Sequence, residues 1–493
     1  MGAKLDLPPD VRALVADVAA FLSERGVEAY ATGGFLRDAI SGVRPQDVDV
    51  SVDADPLALG AELADRLGGS YFVLDEERRY ARILPPGLDV HVDLLPLRGT
   101  IEDDLRLRDY TVDAMAAALP DVASGSAEVI DPLGGIGDLD AGTVRAVSEQ
   151  ALVDDPLRLL RGARIAIERA MSIDPDTQRL IEKHRALLAS AAPERQREEL
   201  LRMMRTPRAG RAFRLLDSLG LLAVVMPEAE VMRGVEQPKE HHWDVMGHAF
   251  ACAEMLDALL AEREPEEAGE RDLWRSLWGE LGWWDGAAAY LSEELAQGSP
   301  RRALIKLCGF LHDIGKPETK MFDENGRMRF FGHSETGAAM AGRLLRRLRF
   351  SSREATFVRR MIEAHLRPVQ MAQQGAPSDR AIFRFFKATG DAGIATLFLS
   401  LADHLATVGP RRDMEAVRAH ARLTAYVIHK RVTDERIVSP PKLVRGDDLI
   451  AALGIEPGPE LGRLLAAIEE AQASGEIATK EEALALARGM QRD

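Results

Sequence analysis

The chain has 493 residues, of which 46% are hydrophobic and 29% charged, a composition that suits a folded protein of about three or four domains and excludes general disorder. Its 63 Lys and Arg against 79 Asp and Glu give a net charge of −16, which excludes a uniformly basic coat, so any site for a polyanion must be a local patch. Two cysteines are too few for a disulfide framework, and the absence of a signal-like segment or of an apolar run of about 18 residues predicts a cytoplasmic protein without a membrane.

The first 150 residues are predicted to form an α/β domain, here called the head. Apolar residues at helical spacing between Val11 and Leu22 predict a helix over 10–25 that ends at Gly26. Short strand-like runs follow at Val27–Ala31, Val48–Val52, Ser70–Leu74, Tyr80–Leu84 and Leu88–Leu95. From about residue 151 the spacing predicts helices almost throughout. The predicted fold class is therefore multidomain α+β, with a small α/β head followed by all-α domains.

Changes in composition divide the helical part of the chain. Residues 261–300 contain ten acidic and three basic residues and four of the five tryptophans, which predicts an insertion packed on one side. Residues 431–445, with Pro440–Pro441, predict a linker before a last helical tail. The domains are accordingly predicted at 1–150, 151–235, 236–430 and 431–493.

A glycine pair and an aspartate pair mark a candidate phosphate and metal site in the head. Gly33 and Gly34 lie between a predicted strand and a predicted helix, where glycine lets the backbone approach a phosphate closely. Asp47 and Asp49 project from one face of a predicted strand, and such carboxylates repel each other unless a cation lies between them. Asp93, on another strand, is a third candidate ligand for Mg²⁺. Each pair alone is also typical of an ordinary turn or strand end, but together they favour the metal site.

These residues resemble the nucleotidyltransferase head of the bacterial CCA-adding enzyme and poly(A) polymerase family, the class II tRNA nucleotidyltransferases. The resemblance begins with the pattern Gly33-Gly34-x-x-Arg37-Asp38 followed by Asp47-x-Asp49. It continues in Asp104-Leu105-Arg106-Leu107-Arg108-Asp109-Tyr110-Thr111-Val112-Asp113-Ala114-Met115, Asp131-Pro132-Leu133-Gly134-Gly135, Asp154-Asp155-Pro156-Leu157-Arg158, Glu194-Arg195 and Glu198-Glu199-Leu200.

Three residues depart from the family's usual pattern. Leu107 stands where the first Arg of an Arg-Arg-Asp triplet is usual, Asp113 replaces an Asn, and Asp154 replaces a Glu. The change at 113 exchanges an amide, which both donates and accepts, for a carboxylate that only accepts. None of the three changes removes an aspartate of the metal site.

The resemblance implies transfer of nucleotidyl groups from CTP, ATP or both to the 3′ end of tRNA, with release of pyrophosphate. Asp47, Asp49 and Asp93 are then catalytic, and the first two hold two Mg²⁺ ions, one at the attacking 3′-hydroxyl and one at the leaving pyrophosphate. The implied nucleotide-binding residues are Gly33, Gly34, Arg37, Arg108, Asp109, Asp113, Asp154, Asp155, Arg158, Arg161 and Arg164.

Within this set, Asp155 and Arg158 are predicted to select the base. They are three residues apart, so on a helix they share a face. A carboxylate beside a guanidinium matches the amino donor and ring-nitrogen acceptor that cytosine and adenine both present, whereas uracil and guanine present the reverse order. The alternative is that Asp154 or Asp155 caps a helix and that Arg158 is solvated or packed on the neck.

A second set of candidate metal ligands lies in the helical part of the chain. His312 and Asp313 follow an apolar helical stretch, and a buried carboxylate is costly unless it is paired or bound to a metal. The other members of the set are His248, His333, His365 and Asp403. Six such ligands suit two divalent ions. The set resembles the HD-domain metal-dependent phosphohydrolases over about residues 241–410, which implies Ni²⁺, Co²⁺, Mn²⁺ or Mg²⁺ and phosphate-ester hydrolysis at RNA ends.

Two segments are locally basic in this acidic chain. Residues 151–220 carry fourteen Lys and Arg against ten acidic residues, and residues 341–367 carry eight Arg against two Glu. Both segments suit contacts with an RNA backbone, which depend little on sequence. Solvated helix faces are the alternative, above all for the second segment.

The sequence therefore predicts a tRNA nucleotidyltransferase that adds CCA or part of it, with an HD phosphohydrolase domain. Its predicted partners are tRNA, CTP and ATP, with no obligate protein partner. One alternative is a poly(A) polymerase. In another, the head only binds RNA and the HD domain is the working hydrolase, but the intact pair of Asp47 and Asp49 argues against this.

Overall fold

The structure is a computed structural model and describes residues 2–372, 375–407, 409, 413–434 and 440–491. The chain divides into two compact units, Met1–Ala191 with Leu219–Val224 and Ala192–Ser218 with Val225–Asp493. Each unit is described by itself below.

The first unit is built on a six-stranded mixed sheet. Its strands lie in the spatial order Ser70–Asp75, Tyr80–Leu84, His91–Pro96, Asp47–Val52, Ala29–Thr32 and Ala116–Ala118. Asp47–Val52 and His91–Pro96 run parallel, and all other neighbours in the sheet are antiparallel. Two short strand pairs lie outside it, Gly2–Lys4 with Ser126–Glu128 and Thr143–Val144 with Ser172–Ile173.

Alternation along the two parallel strands separates a core face from a polar face. Val48, Val50 and Val92 are fully buried in the hydrophobic core, together with the apolar residues of the first helix. Because successive residues of a strand project to opposite faces, Asp47 and Asp49 project from the other face of the sheet. The helices of this unit are Pro9–Ser23, Gly33–Ile40, Pro56–Leu67, Ile101–Arg106, Leu119–Ser124, Gly135–Asp140, Glu149–Asp154, Leu157–Arg169 and Pro175–His184, with 3₁₀ turns at Thr111–Asp113 and Arg185–Ser190.

The second unit is almost entirely helical in its described residues. Its helices are Pro193–Arg205, Ala209–Ser218, Val245–Leu259, Ala268–Leu281, Trp284–Ser292, Arg301–Leu311, Lys316–Thr319, His333–Arg347, Ser352–Ala364, Arg367–Met371, Asp379–Thr389, Gly393–Thr407, Met414–Thr433, Gly446–Leu453, Pro459–Ala473 and Lys480–Met490. Leu222–Val225 lies at the junction of the two units, and 3₁₀ turns lie at Pro227–Met232 and Gly390–Ala392. Two small hairpins pair Glu294–Ala296 with Ser299–Pro300 and Met321–Phe322 with Met328–Arg329.

The α+β fold class, the first helix and the five strand-like runs predicted from the sequence are confirmed. The strand Ala116–Ala118 was not predicted, because three alanines carry no β-branched or aromatic signal. Helix Met414–Thr433 runs into the segment predicted as a linker at 431–445, and residues 435–439 of that linker lie outside the described residues. The domain boundaries stay a prediction.

The tryptophan-rich segment 261–300 packs through its aromatic rings. The indole Nε1 of Trp278 donates to the carbonyl of Leu259 at 2.9 Å, and its ring lies 6.1 Å from that of Phe398. The Arg301 guanidinium lies 4.2 Å from the ring centre of Tyr290. Across the part of the chain that the structure describes, none of the helices combines the length and apolar character needed to span a membrane.

Candidate functional site

Strand register brings the three candidate carboxylates of the head together. Asp47 lies opposite His91, and Asp49 lies opposite Asp93, on the two parallel strands. Ligand atoms of Asp47, His91 and Asp93 all lie within 4.8 Å of one another. Burial raises the pKa of Asp49 well above its ordinary value, and repulsion from Asp47 and Asp93 raises it further. A divalent cation relieves this repulsion, so the donor set fits a divalent metal ion, and the assignment to Mg²⁺ stays a prediction.

The glycine turn leaves room for the metal site. Gly33 has φ +65°, and a Cβ there would lie 2.9 Å from Oδ2 of Asp49 and 3.7 Å from Nη1 of Arg108. A side chain at this position would therefore be strained by the backbone and would crowd both charged groups. A Cβ at Gly34 would lie 3.3 Å from Nη2 of Arg37. The turn thus brings the backbone against the residues that the sequence assigned to the nucleotide.

Arg108 is held beside Asp49 by three hydrogen bonds. Its Nη2 donates to Asp104 Oδ2 at 2.8 Å, to Ser51 Oγ at 3.0 Å and to Thr32 Oγ1 at 3.3 Å. These partners fix a positive charge at the edge of the carboxylate group. The neighbouring Leu107, where the family usually has an Arg, is half exposed. The assignment of Arg108 to the nucleotide stays a prediction.

Arg37, which the sequence assigned to the nucleotide, is almost fully buried. Only 4% of the residue is exposed, its Nε donates to Asp38 at 2.9 Å, and its Nη1 is paired with Asp113. Asp38 is shared with Arg169. The carboxylate that replaces the usual Asn at 113 therefore forms a buried ion pair. These contacts use only part of the five N–H donors of Arg37, and its assignment to phosphate stays a prediction.

Asp109 joins the Asp104–Met115 segment to the helix Leu157–Arg169. Its Oδ2 accepts a hydrogen bond from Arg161 Nη1 at 2.9 Å, and its Oδ1 accepts from the backbone N–H of Tyr110 at 3.0 Å. Burial raises the pKa of Asp109, but the charges of Arg161 and Arg158 outweigh burial and lower it overall. Two motifs far apart in sequence thus meet at one buried carboxylate.

The structure corrects the placement of Asp155. One helix ends at Asp154 and the next begins at Leu157, so Asp155 lies between them with φ −135° and ψ 94°. Its Oδ1 accepts from the backbone N–H of Leu157 at 3.3 Å, which is the capping alternative. Asp155 and Arg158 therefore do not share a helical face, because a residue before proline disfavours helical backbone.

The remaining candidates on these two helices form hydrogen bonds or ion pairs with other residues of the protein. Arg158 Nη1 donates to the carbonyl of Ala151 at 3.1 Å, and the buried Arg164 is paired with Glu168. Asp154 is exposed and accepts from Gln150 Nε2 at 2.6 Å. Their assignment to the incoming nucleotide stays a prediction.

The close approach of Tyr110 to this helix depends on Gly162. The buried Tyr110 hydroxyl donates to the carbonyl of Arg158 at 2.6 Å, and a Cβ at 162 would lie 2.1 Å from the hydroxyl oxygen. We expect Gly162→Ala to lower the free energy of unfolding by about 1–3 kcal/mol, measured by urea denaturation. Gly137→Ala is the control, because no atom lies within 4 Å of its Cβ position. If Gly162→Ala is as stable as the parent, crowding between Tyr110 and this position is contradicted.

The six predicted ligands of the HD set converge in the second unit. Ligand atoms of His248, His312 and Asp403 lie within 4.8 Å of one another, and so do those of Asp313, His333 and His365. The Nε2 atoms of His248 and His312 face each other at 3.3 Å, and those of His333 and His365 at 3.4 Å. Two neutral imidazoles gain nothing from this approach unless a cation or proton lies between them. The two triads therefore fit two metal ions.

Backbone carbonyls orient three of these rings. Nδ1 of His312, of His333 and of His365 lies 2.7–2.8 Å from the carbonyl oxygen three residues before it. Donation from Nδ1 leaves Nε2 as the free lone pair, the tautomer that a metal ligand needs. Burial, helped by the charge of His312, lowers the pKa of His365 to about 4, so its ring is neutral at neutral pH.

Asp313 lies between the two triads. Its Oδ2 is 3.4 Å from His248 Nε2 and 3.3 Å from His312 Nε2, and its Oδ1 is 3.6 Å from His333 Nε2. Although burial alone raises the pKa of Asp313, the nearby charges of His312 and Lys316 hold it well below the ordinary value. The buried Lys316 ammonium lies 2.6 Å from Oδ2.

Three residues near these sites were missed by the sequence reasoning. Arg82 lies opposite Asp93 and donates to both its oxygens at 2.7 and 2.6 Å. His91 stands two residues before Asp93 on the same strand, a spacing that could have indicated it. Lys316 follows His312 and Asp313 in the same segment and pairs with Asp313. The sequence reasoning considered only the histidine and the aspartate there.

The basic segment 341–367 is less available than its composition suggests. Five of its eight arginines form ion pairs, namely Arg347 with Glu228, Arg349 with Glu194, Arg353 with Glu293, Arg359 with Glu363 and Arg360 with Asp391. Contact with RNA at this segment and at 151–220 stays a prediction.

Two known protein families match segments of this chain. The HD domain family matches residues 286–408, and the family described as probable RNA and SrmB- binding site of polymerase A matches residues 170–232. His248 lies before the matched HD segment, although the structure brings it to the same triad as His312.

Relatives similar over nearly the whole chain have a common activity. An A-adding tRNA nucleotidyltransferase of Deinococcus radiodurans is 34% identical, covering 93% of this chain and 94% of the relative. A CC-adding tRNA nucleotidyltransferase of Thermus thermophilus is 33% identical, covering 93% and 92%. A structure of the Thermotoga maritima CCA-adding enzyme complexed with tRNA has the same fold, with a TM-score of 0.58, 20% identity and coverage of 99% of this chain and 97% of that one.

Proposed function

The chain belongs to the tRNA nucleotidyltransferase family, and we propose that it transfers cytidylyl groups, adenylyl groups or both from CTP and ATP to the 3′ end of tRNA, with release of pyrophosphate. The observation that carries the proposal is the array of Asp47, Asp49 and Asp93 beside the Gly33 turn. Burial of Asp49, with repulsion from Asp47 and Asp93, raises its pKa, and a bound cation offsets the cost of keeping this carboxylate ionised.

The residues of the head have separate tasks in this reaction. Asp47 and Asp49 hold Mg²⁺, which when bound activates the 3′-hydroxyl and stabilises the negative charge of the triphosphate. Gly33 and Gly34 allow the triphosphate to approach the backbone at the start of helix Gly33–Ile40. Arg108 holds a positive charge next to Asp49 and is placed to contact the nucleotide. Arg82 orients Asp93 by pairing with both its oxygens.

The experiment that tests this function uses three tRNAs that end before the CCA sequence, after its first two residues, or after its last. Each is incubated with Mg²⁺ and labelled CTP or ATP in turn. Addition of CC alone, of A alone, or of all three identifies which kind of tRNA nucleotidyltransferase the chain is. Long adenylate tails on any RNA 3′ end indicate the poly(A) polymerase alternative. Failure to extend every tRNA contradicts the proposal.

Base selection at Asp155 is a prediction that follows from the family likeness. We expect Asp155→Ala to lower the preference for CTP and ATP over UTP and GTP by about tenfold, since one unpaired hydrogen-bonding group in a partly dry pocket costs about 1–3 kcal/mol. Relative incorporation from mixed nucleotides measures it. Asp155→Asn keeps an acceptor for the N–H of Leu157, so it separates base selection from loss of the helix cap.

The control for this prediction is Asp53→Ala, at an exposed carboxylate outside the implied nucleotide-binding residues. A preference that is unchanged in Asp155→Ala, Asp155→Asn and Arg158→Ala places selection elsewhere, for example in the RNA itself. A preference lost in Asp155→Ala but kept in Asp155→Asn assigns the effect to the cap.

For the second unit we infer that the HD set is a phosphohydrolase centre for phosphate esters at RNA ends. Its support is the pair of buried triads, whose mixed imidazole and carboxylate donors suit Ni²⁺, Co²⁺ or Mn²⁺ as well as Mg²⁺. Such an ion supplies a Lewis acid and an activated water when bound. The backbone carbonyls fix the rings, and Lys316 balances the charge of Asp313. Phosphate release from a panel of 2′,3′-cyclic and monophosphate nucleotides, with each metal in turn, tests this centre.

A further inference from the structure

His91 occupies the fourth corner of a two-by-two array on the polar face of the head sheet. Asp47 and Asp49 form one side, on one strand, and His91 and Asp93 form the other, directly opposite on the parallel neighbour. Residues paired in register project from the same face, and so do residues two apart. The imidazole therefore faces the same space as the three carboxylates.

Nitrogen Nε2 of His91 is buried and has no hydrogen-bond partner among the residues that the structure describes. It lies 3.9 Å from Oδ2 of Asp93, and a ring nitrogen of His91 lies within 4.8 Å of ligand oxygens of both Asp47 and Asp93. A buried nitrogen without a partner is costly, and metal binding is one way in which that cost is removed.

Asp93 remains able to take part although Arg82 binds both its oxygens. A carboxylate offers about four lone-pair directions, and the two hydrogen bonds from Arg82 use only two of them. The guanidinium approaches from the strand Tyr80–Leu84, which lies on the side of Asp93 away from Asp47. The side facing Asp47 is therefore left to a cation.

We propose that His91 is a nitrogen ligand of the head metal centre, together with Asp47 and Asp93, and that it makes this centre accept Mn²⁺ or Co²⁺ more readily than an all-carboxylate centre does. The inference rests on the proposed function of the head, but concerns a residue outside its motifs. Imidazole suits transition metals, whereas Mg²⁺ prefers oxygen ligands, so the ligand set itself sets the preference.

The test measures Mn²⁺ binding to the full chain in a background of His312→Ala and Asp313→Ala, which removes ligands of the HD centre. Electron spin echo modulation by ¹⁴N reports an imidazole bonded to bound Mn²⁺, and titration gives the affinity. We expect addition of His91→Ala or His91→Gln to remove the head's ¹⁴N signal and to weaken Mn²⁺ binding about tenfold, with a smaller effect on Mg²⁺ measured by competition.

Two reference variants separate the possible failures. Asp49→Ala identifies the Mn²⁺ that belongs to the head, and Asp53→Ala, at an exposed carboxylate just beyond the same strand, is the matched control. An unchanged ¹⁴N signal and affinity in both His91 variants, with binding lost in Asp49→Ala, overturns the role of His91 and leaves the proposed function standing. Binding unchanged in Asp49→Ala overturns both. If the background fails to fold, dialysis against Mn²⁺ compares the number of ions bound by the otherwise unaltered chain, its Asp49→Ala variant and its His91→Gln variant, since the HD centre contributes equally to all three.

Discussion

Asp49→Ala is expected to abolish the addition of both CTP and ATP to tRNA, with a loss of about a thousandfold or more. A metal ligand at the reacting phosphate supplies several kcal/mol of transition-state stabilisation, and each 1.4 kcal/mol is about a factor of ten in rate. The rate of single-nucleotide extension measures the effect. Hydrolysis at the HD centre is expected to persist, because none of its ligands belongs to the first unit.

Asp49→Ala is expected to lose activity without losing thermal stability. Burial and the neighbouring carboxylates make the charge of Asp49 unfavourable in the metal-free protein. Removing it should therefore leave the thermal midpoint in the absence of Mg²⁺ unchanged or higher. Asp53→Ala is the control for extension, since that exposed carboxylate is outside the array. Extension at near parental rate in Asp49→Ala would contradict the metal assignment.

The second large effect is expected at the HD centre. The double variant His312→Ala and Asp313→Ala removes one ligand from each triad and should reduce metal-dependent phosphate release to background. Phosphate release with Ni²⁺, Co²⁺, Mn²⁺ and Mg²⁺ is measured, together with bound metal by elemental analysis. Extension of tRNA by the head should be retained.

His429→Ala is the matched control for this variant, because His429 is an exposed histidine of the same unit outside the set. The buried Lys316 loses its partner when Asp313 is removed, so His312→Ala alone is a second, milder variant that keeps the ion pair. Bound metal and hydrolysis both undiminished in the two variants would rule out these ligands. Absence of bound metal in the parent chain would reduce the domain to a structural role.

The structure brings together the candidate metal ligands that the sequence named, and their binding of metal stays a prediction. Asp47 and Asp49 share a face in any strand, and the parallel neighbour Asp93 needed only the correct register to meet them. The HD ligands lie on or beside buried helices, where a histidine or carboxylate has few other uses. The family resemblance itself is confirmed by relatives that cover nearly the whole chain.

Some local geometry and some contacts between distant residues were not predicted from the sequence. The three-residue spacing predicted Asp155 and Arg158 on one helix, whereas Pro156, which disfavours helical backbone at Asp155, was the local signal for the break. Nothing local to Arg37 shows that it pairs with Asp113, far along the chain, and its assignment to phosphate stays a prediction. Arg82 was missed because only the pairing of strands brings it to Asp93, whereas the spacing of His91 and Asp93 on one strand was a signal that was not used.

The two triads also bear on the stability of the folded second unit. His248 belongs to helix Val245–Leu259 and Asp403 to Gly393–Thr407, while the other ligands lie at the ends of helices Arg301–Leu311 and Ser352–Ala364 and at the start of His333–Arg347. Bound ions would therefore tie together helices that are distant along the chain and close long loops. Both cysteines are free and buried, so these ties are not disulfides. Metal supply would then set the stability of the folded domain, since a ligand that binds only the native state stabilises it.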